Sequence, residues 1–172
     1  AHVSIHAYYP GAIRVANDMA KILGLPPYRD ETPVEEAFYR AFYDPATDLF
    51  RDSEESEHIS LVGNSFVYGF GLYRDGSTKQ NILSLLDTHG IASLSFFCAF
   101  PILMGLCRDR DTKRLRGALT HPDAWLRMLR EDATTTFEGW GKDTKWNTSL
   151  FHLTVSYAAL FLSDTDTAAL FA

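Results

Sequence analysis

Apolar residues recur at helical spacing over residues 10–24 (PGAIRVANDMAKILG), where Ile13, Ala16, Met19, Ala20 and Leu23 share a face. The cluster Gly24-Leu25-Pro26-Pro27 ends that run. Thr32-Pro33 opens a second helix with a capping residue, a Pro at the first position and Glu35/Glu36 in the first turn; it runs to about Tyr43 and breaks at Asp44-Pro45. The pattern then changes. Residues 49–57 are polar and acidic, and HISLV rises into a β-branched run that stops at Gly63. A short continuous apolar run bounded by turn signals predicts a buried strand. Ser77 caps a helix through Leu86, Gly90 closes it, and IASLSFFCAF over 91–100 predicts a second strand. Two further helices are expected at about 122–131 and 148–162, joined by the polar, aromatic loop TTTFEGWGKDTKWN.

Strand, Gly-rich turn, helix, strand over 58–100 is a βαβ unit. The expected fold class is therefore α/β, a small three-layer sandwich with a mostly parallel sheet; a mainly α-helical single domain is the alternative. On this reading residues 1–57 form a helical N-terminal extension that packs on a core of residues 58–172. Ligand chemistry in such sheets gathers at the carboxyl ends of the strands, which is where Ser65 would stand. A hydroxyl lifted on such a turn is either a nucleophile flanked by oxyanion-holding N–H groups or an ordinary turn residue.

Composition narrows the partners. The net charge of −6 and the interleaving of Asp109 and Asp111 with the basic residues of RDRDTKRLR argue against nucleic acid. Residues 91–107 carry no charge, at the short edge of a membrane span, but Pro101 interrupts them. Cys98 and Cys107 read as buried free thiols, and no zinc spacing occurs, so neither a metal nor a cofactor is expected. Ala1-His2 at the start and the sequon Asn147-Thr148-Ser149 tilt the expected compartment toward secreted or periplasmic over cytoplasmic. His121-Pro122-Asp123 and Glu55-x-x-His58 are isolated tripeptide and pair signals that build no site by themselves.

Two blocks carry a family likeness. Gly63-Asn64-Ser65-Phe66-Val67-Tyr68-Gly69 resembles the first motif of the SGNH (GDSL-like) hydrolase superfamily, Gly-Asp-Ser-Phe after a first strand. The lead-in LFRDSEESEHISLVG and the stretch Asp143-Thr144-Lys145-Trp146-Asn147 look like the polysaccharide O-acetyltransferase-like branch, whose late D-x-H-W element supplies an Asp and a His. Here Asn64 stands for the family's Asp and Lys145 for its His, and no Gly-x-Asn-Asp block occurs. The resemblance implies a serine esterase, or O-acetyl transfer or hydrolysis on a glycan-like ester. Ser65 would be its nucleophile and Asp143 would orient the base. His152 or a Lys145 of lowered pKa would take the proton. Asn64, Tyr68, Trp140 and Trp146 would contact the substrate. The alternative is an inactive SGNH-like domain that binds a ligand or a protein partner through its aromatic loops.

Overall fold

A computed structural model of the chain describes residues 1–152 and 156–163. These residues are mainly α-helical. The elements are α1 (Val3–Ile22), α2 (Thr32–Phe42), β1 (Tyr43–Asp44), β2 (Leu49–Phe50), α3 (Leu61–Phe70), α4 (Gly76–His89), α5 (Phe96–Arg108), α6 (Thr112–Leu119), α7 (Trp125–Arg130) and α8 (Ala158–Ser163). The expected α/β sandwich is overturned. Among the described residues the one sheet is the antiparallel hairpin β1–β2, with Tyr43 opposite Phe50 and Asp44 opposite Leu49. The helical alternative describes the class of these residues.

Neither predicted strand forms; each apolar run instead leads into a helix, for a local reason. Ser60 sits in extended backbone and accepts a hydrogen bond from the Gly63 N–H at 3.0 Å, which starts α3. Ser95 does the same for α5 through the Cys98 N–H at 3.4 Å. Every residue of α3 from Gly63 to Gly69 is buried, so its apolar run has neither the two-residue nor the 3.6-residue alternation of a half-exposed element. Gly71, at φ 67°, ends α3 in the left-handed conformation. The 91–100 run divides into a 3₁₀ turn, Ile91–Ser93, and the start of α5. At 13 residues α5 is short for a bilayer, and among the described residues no helix is long and apolar enough to cross a membrane.

The chain packs as two compact units, residues 1–85 and 86–172, that divide inside α4. The boundary expected at residue 57 lies within the first of them. In that unit α1 and α3 run side by side in the same direction. A Cβ on Gly63 would stand 2.6 Å from Val3 Cγ1, and one on Gly11 would stand 2.6 Å from the Phe70 ring. At each of these points a methyl group would occupy space the opposing side chain already fills. Arg14 completes the contact. Its guanidinium donates to the Phe70 carbonyl at 3.2 Å and to the Gly71 carbonyl, and pairs with Glu35 at 2.5 Å. The carbonyls left over at the end of α3 thus receive donors and a positive charge. Phe38, Phe42 and Phe50 fill the space beside the hairpin, with ring centroids 5.1–5.6 Å apart.

In the second unit α5 supplies the apolar spine, with Ala99, Ile102, Leu103 and Leu106 fully buried. Arg114 on α6 grips Asp87 with two parallel bonds, at 2.9 and 2.7 Å, and donates to Asp111 at 2.6 Å. The helix expected at 148–162 is not formed over its first residues: 148–152 are irregular, and helix is present at Ala158–Ser163. Residues 153–155 of that expected helix lie outside the described residues.

Candidate functional site

The eight residues singled out by sequence fall into the two units, three in the first and five in the second. Asn64, Ser65 and Tyr68 are on α3, all fully buried. The Ser65 hydroxyl donates to the Val62 carbonyl at 2.7 Å, the bond a serine makes back along its own helix. The backbone there is helical, not the strand-to-helix turn that would present a hydroxyl to a substrate. Asn64 has a structural task. Its amide NH₂ donates to the carbonyls of Phe50 (2.9 Å) and Ser60 (2.8 Å), and its oxygen accepts from the Phe50 N–H at 3.1 Å. One side chain therefore completes the backbone pairing of β2 from the side of α3. An aspartate, with no donor to give, could not.

The other five lie along the loop after α7. Two short segments, 136–138 and 149–152, face each other. The Glu138 N–H donates to the Ser149 carbonyl at 2.8 Å, the His152 N–H to the Thr136 carbonyl at 2.8 Å, and the Thr136 hydroxyl to the His152 carbonyl at 2.6 Å. The intervening loop is pinned by two small turns. Thr144 closes one by donating its hydroxyl to the Gly141 carbonyl at 2.7 Å, and Thr148 closes the other through the Lys145 carbonyl at 2.8 Å. Gly139 is required here, because a Cβ would stand 2.6 Å from the Thr144 side chain.

Charged groups lock this loop to α7. Glu131 accepts from Arg127 Nε and from the Lys142 N–H, each at 2.7 Å. Arg127 also pairs with Asp143. Glu138 pairs with the Lys145 ammonium at 2.5 Å and accepts from the Ser149 N–H at 3.1 Å. Both glutamates are held below the usual carboxylate range. For Glu131 the main cause is the Lys142 N–H, followed by Arg127; for Glu138 it is the Lys145 hydrogen bond, followed by the Ser149 N–H.

Asp143, Lys145 and His152 thus each have a different neighbour. Asp143 is paired with Arg127, and the Lys145 side-chain nitrogen is paired with Glu138. The His152 ring meets the Phe96 ring edge-on, centroids 5.2 Å apart. The two tryptophans part company. Trp140 is buried, its indole N–H donating to the Leu94 carbonyl at 2.6 Å and its ring set against Trp125 at 4.7 Å. Trp146 is 96% exposed at the tip of the loop. Arg127, Glu131 and Glu138 were not singled out by sequence. The i,i+4 spacing of Arg127 and Glu131 on a predicted helix was the available signal for the first two; for Glu138 there was none beyond its place before Gly139-Trp140.

No family model, curated protein sequence or solved structure matches this chain. The SGNH likeness therefore rests on its two sequence blocks, and the parallel sheet it implied is absent among the described residues.

Proposed function

We propose that the chain is a binding domain rather than a Ser65-dependent esterase, and that the 136–149 loop takes a small polar ring ligand of the glycan type. The observation that carries this reading is Trp146. Its indole stands almost wholly in water on a loop held by two threonine turns and three carboxylates, and so offers a flat apolar face at a fixed place for a ligand to stack on. A sugar ring suits such a place: its C–H face stacks on the indole, and its hydroxyls exchange hydrogen bonds with neighbouring charged groups, here Lys145 and Glu138. The burial of Ser65 supports the non-esterase half of the reading. Its hydroxyl is turned into its own helix, beyond the reach of a bulky ester.

The test is a fluorescence titration of the chain with a panel of neutral oligosaccharides (cello-, malto-, xylo- and manno-series), run beside Trp146→Ala. Saturable quenching or a blue shift that Trp146→Ala abolishes supports the proposal. A panel without any binder, or binding that Trp146→Ala leaves intact, overturns the ligand assignment. Treatment with a serine-directed organophosphate addresses the other half, and a stoichiometric adduct on Ser65 would refute it.

A further inference from the structure

Helix α1 buries Val3, Ala7, Pro10, Gly11 and Ile13, and the opposite side of it is apolar too. Ile5, Tyr9, Ala12, Ala16, Met19 and Leu23 follow one another at spacings of 4, 3, 4, 3 and 4 residues, the seam of a coiled coil. Tyr8, Val15 and Ile22, seven apart, widen it on one side, where the Tyr8 ring also packs against Phe66 and Phe70 of α3; the Tyr9 hydroxyl accepts from Arg29 at 2.7 Å. The large residues of this stripe expose between 43% and 84% of their surface, and none of the nine is charged. In a chain of net charge −6 a long uncharged stripe on a surface helix is a departure from the rest of the composition.

We infer that this face of α1 binds the same face of a second copy of the chain, with the two helices antiparallel. The spacing reads the same in both directions, so one rotation by 180° places Ile5 on Leu23 of the second copy, Tyr9 on Met19, and Ala12 on Ala16. The alanines meet at the centre, where small side chains let two helices approach closely, and the large ones meet at the ends. That is the self-complementarity an isologous interface demands. Full coverage of the nine residues would remove on the order of 800 Å² per copy from water, the contribution of each partner to a stable interface of standard size. A parallel pairing would set each seam residue against its own copy and match the sizes equally well; the antiparallel one is favoured because it opposes the two helix dipoles.

Sedimentation equilibrium of the 172-residue chain, from about 1 μM to about 100 μM, tests this. The chain is expected to dimerise within that range. Ala12→Glu and Met19→Glu, both at exposed positions, are each expected to weaken the dimer at least about 100-fold while the helical circular dichroism stays unchanged. Orientation is read by mixing Tyr9→Cys and Met19→Cys chains under mild oxidation. A 9-to-19 disulfide, identified by peptide mass and so distinguished from Cys98 or Cys107, supports the antiparallel pairing. A chain that stays monomeric at the upper concentration, a dimer indifferent to both glutamates, or exclusively like-to-like disulfides would each overturn it.

Discussion

Asn64→Ala and Ser65→Ala change adjacent residues of one motif, yet the structure gives them very different consequences. Removing the Asn64 amide deletes three hydrogen bonds inside a site of zero exposure and leaves the Phe50 N–H and C=O without that partner. A buried backbone group stripped of its partner costs roughly 1–3 kcal/mol. Two such groups, less what relaxation or an entering water recovers, give about 3–4 kcal/mol for Asn64→Ala. Ser65→Ala removes one hydroxyl whose acceptor, the Val62 carbonyl, is also a helical acceptor, and adds a better helix former. Its expected cost is under about 1 kcal/mol. Urea unfolding followed by circular dichroism measures both, with an unchanged m-value showing that the comparison is of stabilities. Equal effects at the two positions, or an Asn64→Ala cost below about 1 kcal/mol, would refute the role given to the amide. Asn64→Asp sharpens the test. Its carboxylate would face two carbonyls, so its folded pKa would lie above the unfolded value near 3.9. The folded state then holds the extra proton, and the variant should lose stability as pH rises through that range and recover it on acidification.

Gly11→Ala, whose methyl would meet the Phe70 ring, is expected to destabilise by roughly 1–3 kcal/mol, whereas Gly76→Ala, which meets nothing within 4 Å, should be neutral or stabilising by up to about 1 kcal/mol; thermal unfolding ranks the two. At Asp48 burial pushes the pKa up, but the hydroxyls of Ser77, Thr78 and Tyr43 outweigh it and hold the carboxyl below its ordinary value, and the Thr78 N–H is the main cause of the same direction at Asp75. Their contribution is present above the unfolded carboxylate pKa near 3.9 and is lost as pH falls through the lower folded values, so an acid titration of stability should flatten in Thr78→Val. Trp140→Phe should cost about 1–2 kcal/mol through the lost bond to the buried Leu94 carbonyl, read by chemical denaturation, without weakening any oligosaccharide binding that depends on Trp146.

The parts of the fold legible in the sequence were those with two independent signals. Helix α2 had a Pro and two glutamates in its first turn and a breaker after it, and it ends where those signals say. Helix α1 was found, but the structure starts it at Val3 and carries it through Pro10, and of the predicted face Ile13 and Ala20 are buried while Met19 and Leu23 are exposed. Leu61–Gly69 and Phe96–Leu106 had an apolar run alone, which a buried strand and a buried helix share. Gly63 read as the end of a strand because a glycine at a turn is the commoner local use. Its actual use is the approach of Val3, which no window around residue 63 contains. Of the candidate site, the loop and the exposed Trp146 were visible as an aromatic, Gly-containing stretch. Its carboxylate locks were not, because which glutamate meets which N–H depends on turns set by Thr144 and Thr148.

The close approach of α1 to α3 bears on how the molecule is made. Val3 leaves the ribosome well before Gly63, so the side of the first helix that ends up covered waits in solvent for the helix that will cover it. A nascent chain halted anywhere short of Phe70 displays both apolar sides of α1 at once. Such a chain should be a far better client for a trigger-type holding chaperone than one released a few residues later.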